Sequence, residues 1–268
     1  MASNISILTY ATGYSYEIFE RFCGSLRDTG FSGNVYIIVK QTDMNNINKL
    51  KEKFDNIYGL LDNITMKFPL NCHRFIIKKQ YVDQGIITSD LVLVCDFRDV
   101  IFQKNIEQYN YDNNVDLYGF LEGININQDS ACNTPWLKRL EEITGELFYD
   151  KISENKVICA GTTIGKLHAI KQYLDFMCNM LIKYSMTEAL DQGIHNYMLY
   201  LNKLPGMNVK LLSNEDNLVN TVGCDIHLLN DKNHIVNRQN EVSFVVHQYD
   251  RFGLDLKQRL SSKYNFTL

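Results

Sequence analysis

Proline occurs only three times in these 268 residues and tryptophan once. With asparagine, isoleucine, lysine and tyrosine abundant, this bias could reflect an AT-rich genome and carries no chemistry. No run approaches the ~18 consecutive apolar residues of a membrane span, and no basic stretch followed by an apolar core opens the chain as in a secretory leader. The seven cysteines include no C-x-x-C pair and no regular spacing. Several lie inside apolar runs, so they read as buried thiols in a reducing compartment rather than a disulfide framework. The expectation is a soluble, cytosolic protein. On that reading, the Asn-x-Ser/Thr triplets at Asn4, Asn63 and Asn265 are chance matches. Positive charge is not in excess either: 27 basic against 31 acidic residues give a net charge of -4. No global field would draw the chain to nucleic acid or an anionic membrane. An anionic substrate would need a local basic patch or a bound cation. Repeats, low-complexity segments and linker-like stretches are also missing.

Hydrophobic residues make up 45% of the chain and charged residues 22%, which is ordinary for a folded domain. The length suits one large α/β domain able to bury most of its apolar surface. Ile5 to Tyr10 reads as a strand, about 16–27 as a helix and Asn34 to Val39 as a second strand. By default these two strands pair in parallel through a right-handed crossover. Residues 43 to 56 look helical and polar, and Cys72 to Val82 suits an amphipathic helix. Further strands are expected at Leu91 to Cys95, Asp116 to Glu122, Val209 to Ser213 and Val242 to Val246. A strand pair or strand-turn is expected around Gly161, within 156–164. Helices are expected at 134–143, carrying Trp136, and at about 167–184 and 187–202. One domain over 1–268 follows, with a nucleotide-binding half to about 115 and an acceptor-shaping half from about 116.

The most informative segment is Leu91-Val92-Leu93-Val94-Cys95-Asp96-Phe97-Arg98-Asp99. A buried strand delivers two carboxylates, three positions apart, to the carboxyl edge of a parallel sheet, where open α/β sheets bind ligands. Two carboxylates together repel unless protonated or bridged by a cation, and a hard divalent ion completed by phosphate oxygens would serve. The bland alternative is a charged loop in which Arg98 pairs one of the aspartates. Near the other end, an apolar strand terminates in His247, with Arg251 four residues later. Imidazole suits Mn²⁺ or a similar metal as a third ligand, and Arg251 could neutralise a phosphate. Between them lie Ala160-Gly161-Thr162-Thr163, where a glycine would let the backbone approach a sugar, and Asp191-Gln192-Gly193-Ile194-His195-Asn196. Asp191 opens a helix there, where aspartate is also a routine cap.

These pieces, in this order from about residue 5 to 251, resemble the GT-A glycosyltransferases. They are similar to those encoded by large algal viruses and to plant and bacterial relatives with an Asp-x-Arg-Asp-Val signature. The resemblance implies an α/β Rossmann-like fold with a mixed central sheet and helices on both faces. It also implies a metal-dependent transfer of a sugar from a nucleoside-diphosphate sugar, with UDP as carrier, to a glycan or glycoprotein acceptor.

Residue by residue, it implies that Thr9, Tyr10, Ala11 and Thr12 hold base and ribose, with Val39 as a wall. Arg74 and Lys78, one helical turn apart, would contact donor sugar or phosphates; the competing reading is a solvated basic face that includes Lys79. Phe97, Arg98, Gly161 and Arg251 are counted with the donor site. Asp96 and Asp99 take the places of the metal and ribose carboxylates, with Asp99 and His247 as direct ligands of Mn²⁺ or Mg²⁺. The Asp-x-x-Asp spacing departs by one residue from the commoner Asp-x-Asp. Asp191, with Gln192 beside it, would act at the anomeric centre, as a base with inversion or as a stabilising charge with retention, towards which the relatives lean. Glu122 is an acceptor-site candidate. Two rivals stand beside this reading: a metal-dependent nucleotidyltransferase or phosphohydrolase, and a sugar-nucleotide-binding protein without catalysis.

Overall fold

A computed structural model describes residues 4–65, 68–184, 188, 190–224 and 228–251. Asn265, the side chain of Cys224 and part of the start of the expected 187–202 helix lie outside them. Four strands open the sheet: β1 (Ile5–Tyr10), β2 (Val35–Val39), β3 (Ile57–Leu61) and β4 (Leu91–Cys95). They pair in parallel in the order β3-β2-β1-β4. Their connections carry α1 (Tyr16–Asp28), α2 (Met44–Lys51) and α3 (Leu70–Asp83). Short β5 (Val100–Phe102) follows β4, and then come β6 (Leu117–Asn125), α4 (Asn133–Thr144), α5 (Tyr149–Ile152) and β7 (Lys156–Lys166). The chain continues with α6 (Leu167–Tyr184), α7 (Asp191–Tyr200) and β8 (Val209–Leu212). β7 pairs antiparallel with β4 and β6, and β8 parallel with β6, which completes a seven-stranded mixed sheet. β9 (Val219–Thr221), β10 (Leu228–Leu229), β11 (Ile235–Val236) and β12 (Val245–His247) lie outside it.

Side-chain alternation explains the layers. Ile5, Ile7, Val35, Ile37, Leu91 and Leu93 bury on one face with Phe19, Phe22, Cys23 and Leu26 of α1 and with Ile47 and Leu50 of α2. Their neighbours Leu8, Ile38, Val92 and Val94 bury on the other face, against α3, α4, α6 and α7. A strand burying both sides must be apolar throughout, which is why Leu91 to Cys95 reads as a continuous run. The 19-22-23-26 spacing of α1 places its four apolar side chains on one stripe. Burying each large one stabilises the fold by roughly 1.5–3 kcal/mol.

Several boundaries differ from expectation. Gly161 does not mark a turn: β7 runs unbroken through it, pairing with β4 from Cys95↔Thr162 to Leu91↔Lys166. Glu122 is inside β6, not at its end. The helix expected over 43–56 stops at Lys51, and Ile57–Leu61 forms the edge strand. The six described cysteines, Cys23, Cys72, Cys95, Cys132, Cys159 and Cys178, are unpaired thiols, and all but Cys132 are buried. Among the described residues, no helix is long and apolar enough to cross a membrane.

Candidate active site

Asp96, Asp99 and His247 converge beyond the carboxyl end of β4. Each offers a ligand atom within 4.8 Å of the others. The chain achieves this by turning straight from β4 into β5, so that Asp99 precedes the strand against which β12 pairs, with His247 opposite Val100. The backbone locks the arrangement: the Asp96 N–H donates to the Gly161 carbonyl (2.7 Å), and the Gln248 N–H donates to the Asp99 carbonyl (2.9 Å). His247 Nε2 stands 3.7 Å from a carboxylate oxygen of each aspartate. That nitrogen is buried without a hydrogen-bond partner among the described residues. A buried polar atom left unpaired is costly, so an orphan facing two carboxylates marks a place for a cation. Burial alone would lower the His247 pKa, but the neighbouring Cys159, Asp99 and Glu122 outweigh it and raise the value.

The other ring nitrogen, Nδ1, lies 3.5 Å from Cys159 Sγ. Gln248 Nε2 donates to the same sulfur at 3.5 Å and to Glu122 Oε1 at 3.4 Å. Gln248 adopts a left-handed backbone (φ 62°), unusual for a buried residue with a side chain, immediately after the histidine. Gly161 completes the cradle, because a Cβ there would sit 2.3 Å from His247 Cε1 and 2.9 Å from Asp96 Oδ2. The donor set of two carboxylates and one imidazole, with an open side, fits Mn²⁺ or Mg²⁺.

On that open side lies a cavity of about 370 Å³, lined by Tyr10, Tyr14, Asn71, Arg74, Lys78 and the Asp96–Asp99 turn, with Arg251 at its rim. Arg74 forms an ion pair with Asp96 and donates to Asp191 Oδ2 at 3.0 Å. Asn71 Nδ2 holds the other oxygen of Asp191 at 2.7 Å. Lys78 is only 1% exposed and donates to the Cys95 carbonyl at 3.1 Å. Burial, helped by the nearby Arg74, pushes its pKa down to about 7. The cavity therefore has the Arg74 guanidinium and the titratable Lys78 amine in its lining, together with Arg251, exposed and without an ion pair among the described residues.

Asp96, Asp99, Arg74, Lys78, Arg98 and Arg251 line this cavity, His247 and Gly161 adjoin it through the two aspartates, and Asp191 through Arg74. Arg98 pairs Asp250 at 3.0 Å, not Asp96 or Asp99. Lys79 is on another face of α3, paired with Asp83 and Asp175, so the residues at 74 and 78 are not part of one solvated basic face. Other expected contacts are displaced. Thr9, Ala11 and Val39 are wholly buried, and Thr9 Oγ1 donates to the Cys95 carbonyl. Thr12 Oγ1 donates to Asp43. Of that expected first turn, only Tyr10 lines the cavity, its hydroxyl held by Asp62 at 2.9 Å. Phe97, its ring buried against Tyr14, Phe19 and Phe22, does contribute to the cavity lining.

The Gln192 amide is committed to β7, accepting from the Ala160 N–H at 2.9 Å and donating to the Ile158 carbonyl at 2.7 Å. Asn196 grips Ile158 in the same way. Asp191 makes no cap, since its carboxylate points to Arg74 and Asn71. Glu122 is 5% exposed and faces Gln248 rather than an open groove. Tyr14, Asn71 and Cys159 are the residues that sequence reading missed, and no motif flags them.

No family model and no curated protein matches the sequence. Solved structures do. An active-site mutant of LgtC, with a glutamine changed to glutamate, superposes with TM-score 0.61. The galactosyltransferase LgtC in complex with donor and acceptor sugar analogues superposes with TM-score 0.58. Each is 14% identical, over 98% of this chain and 97% of the other. The chain thus has the GT-A fold.

Proposed function

We propose that this chain is a glycosyltransferase that moves a sugar from a UDP-sugar to a glycan or glycoprotein hydroxyl with a divalent cation, Mn²⁺ or Mg²⁺. The observation that carries the reading is the orphaned His247 Nε2, set 3.7 Å from both Asp96 and Asp99 at the edge of a cationic cavity. A phosphohydrolase or nucleotidyltransferase also needs carboxylates after a central strand. The turn after β1, Ala11-Thr12-Gly13-Tyr14-Ser15, has neither lysine nor arginine to cradle a triphosphate.

Asp96, Asp99 and His247 would hold the metal, whose contribution is to neutralise charge on the departing diphosphate. Arg74, Lys78 and Arg251 would bind the same phosphates from the other sides, and Tyr10 and Tyr14 offer rings to the base. Asp191 stands fixed between Arg74 and Asn71, both carboxylate oxygens engaged. A negative charge held in that way suits orienting donor hydroxyls and stabilising positive charge at the anomeric carbon, which supports retention. Gln192 would set the height of Asp191 by pinning the start of α7 to β7. Glu122, behind the centre, is assigned to bracing Gln248 and His247. The unpaired thiols fit a reducing compartment, and we place the protein in the cytoplasm.

The test is calorimetric binding of UDP with and without Mn²⁺, on wild type and on Asp99→Ala. Metal-dependent binding lost in the variant is expected. Equal binding in chelator and in Mn²⁺ would overturn the metal assignment, and no binding in either would overturn the donor class.

A further inference from the structure

A second cavity, about 910 Å³, opens between the β5–β6 connection and the turns around β10–β12. It contains Phe244, three residues before His247, so it lies about 10 Å along β12 from the metal ligands. Its lining differs in kind from that of the donor cavity. Gln108, Asn110 and Asn240, all exposed, present side-chain amides to it with no protein partner among the described residues. Asn217, only 8% exposed, gives its Nδ2 to Glu241 at 2.6 Å, and its Oδ1 is buried without a partner among the described residues. Tyr109, half-buried, is braced edge-on by Tyr111 and Phe244 at centroid distances of 5.0 and 5.5 Å.

We propose that this cavity binds a neutral glycan, separately from the donor. An amide both donates and accepts, as a sugar hydroxyl does, so the three amides of Gln108, Asn110 and Asn240 around an aromatic side chain match a polyhydroxylated ring. The charges do not select an ion. Asp216 is committed to Ser213 at 2.7 and 2.8 Å, Glu241 to Asn217 and Asn237, and Lys104 lies 4.2 Å over the Phe244 ring. Asp231 and Lys232 are adjacent and opposite in sign.

The walls are preorganised. Asn230 Oδ1 accepts from the backbone N–H groups of Lys232 and His234 at 3.0 Å each, and Asn217 and Asn240 hold left-handed turns with φ of 62° and 63°. Rigid walls lower the ordering cost of binding a flexible, polar ligand. The assignment rests on this cavity alone. On the transferase reading, it would hold the part of a glycan that does not react.

The experiment uses the full chain and ¹H–¹⁵N NMR titrations with maltotetraose, cellotetraose, mannotetraose and chitotetraose, with heparin as an anionic comparison. At least one neutral tetrasaccharide should bind saturably. Tyr109→Leu and Asn240→Gly, the latter compatible with the left-handed turn, should each weaken it about fivefold or more, as expected for one lost hydrogen bond or ring contact. UDP–Mn²⁺ binding is measured on the same samples and should not change, which separates failure here from failure of the donor reading. No binding by any neutral sugar, binding of heparin alone, or affinity unchanged in both variants would overturn the proposal.

Discussion

The Gly161 Cα packs against the imidazole of His247 so closely that a Cβ would stand 2.3 Å from Cε1 and 2.6 Å from Nε2. The glycine lies in mid-strand, where it weakens the sheet, so its value is the space it leaves. Gly161→Ala must push the ring away from Asp96 and Asp99. We expect Mn²⁺ affinity to fall at least about tenfold, with a stability loss of about 1–3 kcal/mol from overpacking. Calorimetry and urea unfolding check the two separately. Unchanged metal affinity would mean that His247 is not a ligand.

The thiol of Cys159, 3.5 Å from His247 Nδ1, occupies the place where a metal-ligating histidine ordinarily finds a carboxylate or carbonyl. Cys159→Ser keeps a hydrogen-bonding group there and should retain most of the Mn²⁺ affinity. Cys159→Val removes it and should cost roughly 10–100-fold, the usual penalty for losing such a partner. Thermal unfolding of both variants in chelator isolates any packing effect. Equal affinity in Ser and Val variants would remove Cys159 from the centre's support.

Asp191 is joined to Asp96, one of the two carboxylates proposed to hold the metal, through one side chain, since Arg74 reaches both. Asp191→Asn keeps the shape but removes the charge. Turnover should fall about 10²–10³-fold, the range for losing one preorganised electrostatic group, while UDP–Mn²⁺ affinity stays near wild type. Near-normal turnover would show that the charge is dispensable.

Much of this centre was legible because its chemistry sits where patterning changes abruptly. A short apolar run that stops at Asp96 reads as a buried strand reaching an edge, and Val245-Val246-His247 repeats the signal. What was not legible depends on partners remote in sequence. Three-residue strands such as β5 and β9 carry no periodicity, so their pairing with β12, which delivers His247, leaves no trace in the chain. Thr9 was expected to hold base and ribose on the resemblance, and Val39 to form a wall at the end of its strand, yet Thr9 is spent on the Cys95 carbonyl and Val39 on the core. Gln192 was expected at the anomeric centre on the resemblance, and the structure commits its amide to the backbone of Ile158 and Ala160. Lys78 is the sharpest case: its spacing from Arg74 left donor contact and a solvated face both open, and only the fold reveals that it is buried.

That burial has a consequence in pH. The folded protein holds the Lys78 pKa at about 7, against an ordinary value of 10.5. Between those values the unfolded chain carries a proton that the folded chain lacks. The contribution of Lys78 to stability therefore rises with pH across this window. Below about pH 7 both states are protonated, and the cost of burying the charge is fully present. Lys78→Met removes that cost, and the Cys95 carbonyl keeps the Thr9 hydroxyl at 3.0 Å as a partner. The variant should be more stable than wild type at pH 6.5, by an amount that shrinks at pH 9. Urea unfolding at both values checks it. A difference of the same size at each pH would mean that Lys78 titrates as an ordinary surface lysine, and that the cavity wall holds a permanent charge.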